Sequence, residues 1–148
     1  MTGRDVAADR HGSASAFADR IASLAAQAAA TRDRFDPSEL DGKDGEETEL
    51  AGSSVTDHEE AALVAARDGL GPVVGLYVEA RTAADPVRFS ATEMQRLHAA
   101  TNDWLAVYAR CHGVEADPDV TVREAAEALV ATHDITDVAA LLTGLHRR

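Results

Sequence analysis

The sequence predicts a mainly α-helical α+β fold, a small helical domain that carries one β-hairpin and is preceded by a tethered N-terminal helix. Three observations predict this fold class. Apolar residues recur at three- and four-residue steps in several segments, which is typical of amphipathic helices. Ser/Thr-x-x-Glu tetrapeptides begin at Thr56, Ser90 and Thr121, and such capping boxes are typical of helix N-termini. The segment from Val73 to Arg81 instead alternates apolar and other residues, which favours a strand.

The N-terminal third of the chain divides into a tail, a helix and a linker. Residues 1–12 are small and polar and predict a flexible tail. A helical pattern then covers residues 13–35, and it ends there because Pro37 disfavours helical geometry in the residue before it. Residues 36–54 are rich in Asp, Glu and Gly and predict a disordered acidic linker.

Residues 55–148 predict a compact helical domain with the β-hairpin at about 73–89. Its apolar face must pack on helices, because an isolated hairpin is only marginally stable. The predicted helices run from about Thr56 to Asp68, from Ser90 to His112, from Thr121 to His133, and onward from a cap at Thr136. The predicted core consists of the large apolar residues on the inner faces of these elements: Leu63, Val74, Leu76, Val78, Phe89, Leu97, Trp104, Leu105, Tyr108, Leu129, Val130, Leu141 and Leu142.

The charge composition is unusual. The chain has 26 Asp and Glu against 14 Lys and Arg, for a formal net charge of −12, and Lys43 is its single lysine. Abundant acidic residues and alanine with almost no lysine resemble the composition of proteins from halophilic archaea. Salt at about 1 M shortens the Debye length to about 3 Å, so the repulsion among so many carboxylates would be largely screened there.

The same acidity predicts which partners the protein avoids. Nucleic-acid binding needs clustered basic residues, and Arg147 and Arg148 are the only adjacent pair. Anionic membrane surfaces are disfavoured for the same reason. No apolar run approaches the roughly 20 residues of a membrane span, and the N-terminus lacks the apolar segment of a secretory signal. We therefore expect a soluble cytoplasmic protein without a cofactor.

The sequence predicts no catalytic and no cofactor-binding residues. It contains neither an HExxH zinc motif nor a GxSxG nucleophile elbow. One cysteine excludes an internal disulfide and any zinc site with several cysteines. The one candidate metal set is Cys111 and His112 at a predicted helix end with His133 from the next helix, because a thiolate and two imidazoles can bind zinc. Whether the protein is an enzyme stays open, although the sequence favours a negative answer.

A partner surface is a further prediction. The N-terminal helix carries an apolar stripe that includes Phe17, Ile21 and Leu24, which must be buried on its own domain or on another chain. The polar face of the predicted hairpin would bring together Tyr77, Glu79, Arg81 and Arg88, and Tyr and Arg are favoured at interfaces. The candidate partner surface is therefore formed by Phe17, Ile21, Leu24, Tyr77, Arg81 and Arg88.

These features favour a small non-enzymatic interaction or structural module that binds a protein partner or associates with itself. One alternative is a helix-turn-helix-like transcriptional regulator that uses residues 121–148, although the second helix lacks base-reading side chains at its start. The other alternative is a small metal-dependent enzyme at Cys111, His112 and His133. Composition and motifs identify no ligand or pathway.

Overall fold

A computed structural model describes residues 15–40 and 47–145. The described residues form five helices and one two-stranded antiparallel sheet, which confirms the predicted fold class. The predicted tail at 1–12 lies outside the described residues, as do part of the predicted linker and the C-terminal arginines. The elements are α1 (Ala18–Arg34), β1 (Thr48–Leu50), β2 (Ser53–Val55), α2 (His58–Thr82), α3 (Ala91–Cys111), α4 (Val122–Thr132) and α5 (Ile135–Thr143).

Helix α3 is the centre of the molecule, and each of the other four helices packs against it. Its buried face confirms the core predicted for this helix, since Leu97, Trp104, Leu105 and Tyr108 are each at most 2% exposed. The capping box at Ser90 begins the helix as predicted. The α3 helix therefore follows closely from its sequence pattern.

Helix α1 docks on α3, which answers a question that the sequence left open. Ile21 and Ala28 are fully buried in the shared core. At the other end of the interface, Arg110 donates hydrogen bonds to the carbonyl oxygens of Arg32 at 2.9 Å and Phe35 at 2.7 Å. The N-terminal helix is therefore an integral part of the domain core.

The β-hairpin lies at 48–55 and not at the predicted 73–89. Its strands pair Thr48 with Val55 and Leu50 with Ser53 around a two-residue turn. Ala51 and Gly52 in that turn have φ angles of 52° and 84°, and such two-residue turns match the twist of the paired strands. The hairpin occupies the end of the predicted linker because Leu50 and Val55 are buried and anchor it to the core.

The predicted strand from Val73 to Arg81 is the second half of α2. This half of α2 carries apolar residues outside its buried face as well as on it, so its sequence also fits strand alternation. Residues 65–70 form one turn of π-helix, and Pro72 lies at the start of the α-helical turns that follow. Gly69 is required here, because a Cβ atom would overlap the Trp104 ring.

Two of the three predicted capping boxes are confirmed, at Ser90 and Thr121. At the start of α2 the cap is Asp57 and not Thr56, because the Asp57 carboxylate accepts the Glu60 amide at 2.8 Å. The last helix is capped by Asp134 and not by Thr136. In both cases an aspartate within two residues of the predicted cap is the acceptor.

Three predicted core residues are wrong, since Leu63, Val130 and Leu141 are 41%, 64% and 55% exposed. The buried faces of α4 and α5 are formed mainly by alanines, which allow close helix contact and leave some larger residues outside. Four others are partly buried: Val78, Phe89, Leu129 and Leu142. Val74 and Leu76 are buried as predicted, although on a helix.

Helix α2 also bears on the membrane prediction. Among the described residues it is the one helix that is long and apolar enough to cross a membrane by length and composition. However, 61% of its most apolar stretch is buried inside the protein. Such burial is typical of the core helix of a globular domain.

Candidate interaction site

The three candidate metal ligands do not form a recognisable metal site. Burial of the Cys111 side chain raises the pKa of its thiol to about 12, so the sulfur is protonated at neutral pH. The His112 ring packs on Tyr108 with ring centroids 4.7 Å apart. His133 ends α4 in a left-handed conformation and is exposed. Over residues 15–40 and 47–145, no group of three or more His, Cys, Asp or Glu side chains is placed to hold a metal ion.

The apolar stripe of α1 faces the protein itself. Ile21 is 1% exposed and is therefore not part of the accessible surface. Phe17 and Leu24 are partly buried against the same core. The Phe17 ring meets Phe89 edge-on, with 6.4 Å between the ring centroids. This half of the predicted partner surface is largely covered by the chain's own residues.

The other half of the predicted partner surface lines a groove of about 370 Å³. The groove is formed where the end of α2, the following segment, the start of α3 and the start of α4 meet. We call it the arginine groove, and its lining residues are Tyr77, Arg81, Arg88, Phe89, Met94, His98, Thr121 and Arg123.

The floor of the arginine groove is aromatic. The Tyr77 and Phe89 rings stack with centroids 6.0 Å apart and an interplanar angle of 23°. The Arg81 guanidinium lies 5.9 Å from the Tyr77 ring centroid, within the range of a cation–π contact. Aromatic rings below a guanidinium hold the cation in place without neutralising its charge.

The charges of the groove arginines are only weakly compensated. Within the described parts of the chain, neither Arg81 nor Arg88 forms an ion pair, and both are exposed. Arg123 pairs with Glu127 at 3.3 Å, but both side chains are about two-thirds exposed or more, and such pairs contribute little. A locally cationic groove therefore lies on a chain of net charge −12.

The wall of the groove between α3 and α4 is held by side-chain hydrogen bonds. His98 Nδ1 accepts the Val122 backbone N–H at 3.0 Å, so the neutral imidazole carries its proton on Nε2. The Asn102 side chain accepts the Val120 N–H and donates to the Val120 carbonyl oxygen, both at 2.9 Å. These bonds fix the start of α4, and with it Arg123, relative to α3.

An apolar pocket of about 390 Å³ adjoins the arginine groove and shares Tyr77, Arg81 and Arg123 with it. The pocket lies between the end of α2 and the outer face of α4. Val130, which is 64% exposed, forms part of its rim. Its remaining lining residues are Val78, Thr82, Ala126 and Glu127.

The sequence predicted part of this site but placed it on a β-strand, whereas Tyr77 and Arg81 lie on a helix. Tyr77 and Arg81 share a face of a strand, and they also share a face of a helix because they are four residues apart. Glu79 shares only the strand face, and on α2 it pairs with Arg20 at 3.2 Å away from the groove. The groove residues from α3 and α4, such as Met94, His98 and Arg123, were missed because they join the site only through tertiary packing.

Comparison with known proteins identifies the family. A family model described as Domain of unknown function (DUF8055) matches residues 15–147, so the chain belongs to this family. No curated protein and no solved structure matches the chain.

Proposed function

We propose that this member of the DUF8055 family is a small non-enzymatic interaction module that binds an acidic segment of a partner protein in its arginine groove. The single observation that carries the proposal is the weak compensation of Arg81, Arg88 and Arg123 on a strongly acidic chain. Guanidinium groups bind carboxylates through paired N–H donors, so the groove offers a geometrically specific site for acidic side chains.

The residue types of the groove support an interface role. Arg, Tyr, Phe and Met are enriched in the cores of protein interfaces. Tyr77 and Phe89 provide stacked apolar surface, and Arg81 and Arg88 add positive charge to the same groove. Binding would therefore bury apolar area of the partner and form ion pairs with it at the same place.

The net charge favours a short acidic segment over a polyanion. Nucleic acid and anionic membranes present charge over an area wider than the groove, and they would also be repelled by the net charge of −12 on the chain. At about 0.15 M salt the Debye length is about 8 Å, so a short segment in the groove is partly screened from distant carboxylates. We further propose a soluble cytoplasmic setting, and the composition favours one of high salt.

The proposal is tested by titrating isotopically labelled protein with acetylated hexaglutamate and following the backbone amide signals. We expect weak binding, with shifts concentrated at residues 77–94 and 121–130. Replacing Arg81 and Arg88 together by Gln removes two exposed charge pairs, so we expect the dissociation constant to rise about fivefold.

Arg34→Gln is the matched control, since Arg34 is an exposed arginine that lines a different cavity between the end of α1 and the β-hairpin. It should leave the affinity unchanged. Shifts scattered over the surface, or an equal loss of affinity in Arg34→Gln, would contradict the proposal.

A further inference from the structure

We infer that the acidic segment bound by the arginine groove also carries one aliphatic side chain, which occupies the adjoining apolar pocket. This inference rests on the proposed function and adds the sequence pattern of the partner. The inference is based on three residues, Tyr77, Arg81 and Arg123, that line both the arginine groove and the apolar pocket. The two cavities therefore form one continuous surface.

The apolar pocket has the lining that an aliphatic side chain requires. Val78, Ala126 and Val130 come from two helices and face the same space. Val130 is the most exposed of the large apolar residues over the described parts of the chain. An aliphatic side chain placed beside it would bury apolar surface on both molecules, which is favourable in proportion to the area removed from water.

The spacing along α4 sets the spacing of the partner's residues. Arg123 and Val130 are seven residues apart on one helix, which corresponds to about 10 Å at 1.5 Å per residue. An extended peptide covers about 3.3 Å per residue, so the same distance takes about three residues. We therefore expect the carboxylates about three positions from the aliphatic residue.

Glu127 restricts where the acidic residues of the partner segment can lie relative to its aliphatic residue. It lies on α4 between Arg123 and Val130 and is one of the lining residues of the apolar pocket. A carboxylate next to the partner's aliphatic residue would approach Glu127 and be repelled. The expected pattern is an aliphatic residue, two uncharged residues and then acidic residues, with the acidic end toward Arg88.

The test compares two acetylated, amidated peptides of equal charge, Leu-Ser-Ser-Glu-Glu-Glu and Ala-Ser-Ser-Glu-Glu-Glu, by amide-shift titration of the full chain. We expect the leucine peptide to bind about tenfold more tightly, which corresponds to about 1.4 kcal/mol. In the peptide Leu-Glu-Glu-Glu-Ser-Ser the acidic residues lie next to the leucine. This change should remove most of the tenfold increase in affinity.

Val130→Ser should abolish the tenfold difference in affinity between the leucine and alanine peptides. Leu141→Ser is the matched control, because Leu141 is also a large exposed apolar residue but is not among the residues that line the pocket. It should preserve the difference. Both substitutions are at exposed positions, where the cost in stability is small.

The outcomes separate the two proposals. Equal binding of the leucine and alanine peptides would overturn the inference and leave the proposed function intact. Binding of neither peptide would overturn both. Persistence of the leucine gain in Val130→Ser would also overturn the inference, as would groove shifts produced only by a DNA duplex or by anionic vesicles.

Discussion

Arginine serves opposite purposes in two regions of this molecule. At the interface of α1 and α3, Arg32 pairs with Asp103 at 3.0 Å and Arg110 donates to two backbone carbonyl oxygens. In the arginine groove, Arg81 and Arg88 have no ion-pair partner within the described residues. The first region uses guanidinium groups to join two helices, whereas the second leaves them exposed.

The difference shows how an acidic protein distributes its few cations. The hydrogen bond to Asp103 raises the pKa of Arg32, so the Arg32 guanidinium keeps its positive charge at this interface. Arg110 satisfies carbonyl groups at the end of α1 that the helix itself leaves without donors. Removing such arginines should cost stability, whereas removing the groove arginines should cost binding.

The largest expected effect comes from the close contact between Gly69 on α2 and Trp104 on α3 in the core, away from both arginine regions' own side chains. In Gly69→Ala the added Cβ would overlap the buried Trp104 ring, and a helix or the indole must move. We expect the free energy of unfolding to fall by about 3 kcal/mol, the upper end for overpacking.

Urea denaturation followed by Trp104 fluorescence measures this change. Gly75→Ala is the control, since nothing lies within 4 Å of a Cβ at this helical position. It should be neutral or stabilise by up to about 1 kcal/mol. Equal destabilisation by both substitutions would show that the close approach at Gly69 is not the cause.

The next effect directly compares the two arginine regions. Arg110→Ala removes charged donors from two partly buried carbonyl oxygens, so we expect a loss of about 2 kcal/mol in the free energy of unfolding. Arg88→Ala should change the same quantity by less than about 0.5 kcal/mol, because Arg88 is exposed. Equal destabilisation by Arg88→Ala and Arg110→Ala would contradict the difference between the two arginine regions.

A smaller effect concerns the buried carboxylate of Glu93 at the start of α3. Glu93 is 3% exposed, and its carboxylate accepts the backbone N–H and hydroxyl of Ser15 at 2.8 and 2.9 Å and the Ser90 N–H at 2.8 Å. Burial acts to raise the pKa of Glu93, but these hydrogen bonds outweigh burial and hold the pKa below its ordinary value of 4.5.

A carboxyl with a lowered pKa stabilises the folded state above its unfolded pKa, and that contribution is lost as pH falls through the folded value. We therefore expect part of the stability to disappear as pH decreases below about 4.5. Glu93→Gln should cost about 1 kcal/mol at pH 7 and reduce this acid dependence. An unchanged pH profile of unfolding in Glu93→Gln would contradict the assignment.

The parts of the fold that follow from sequence are those determined within a few residues. The capping boxes at Ser90 and Thr121 involve side chains three positions apart, so their signals are local and were confirmed. The second half of α2 carries apolar residues outside its buried face as well as on it, so its sequence shows little helical periodicity that would separate a helix from a strand. The true hairpin is only three residues per strand, which is too short for alternation to be recognised.

The candidate site shows the same limit. Tyr77 and Arg81 were predicted to lie together because a four-residue spacing shares a face in either secondary structure. Arg123 is distant in sequence and reaches the groove because His98 and Asn102 anchor the start of α4 to α3. Such contacts depend on tertiary packing, and no local pattern in the sequence encodes them.

The most direct test of the central claim measures stability and hexaglutamate affinity on the same two variants, R81Q/R88Q and R110Q. If the groove arginines serve binding and Arg110 serves stability, R81Q/R88Q should keep the wild-type free energy of unfolding within about 0.5 kcal/mol. Its affinity for hexaglutamate should fall about fivefold. R110Q should be destabilised and, where it is folded, should bind as the wild type does. A destabilised R81Q/R88Q with unchanged affinity would contradict this assignment of roles.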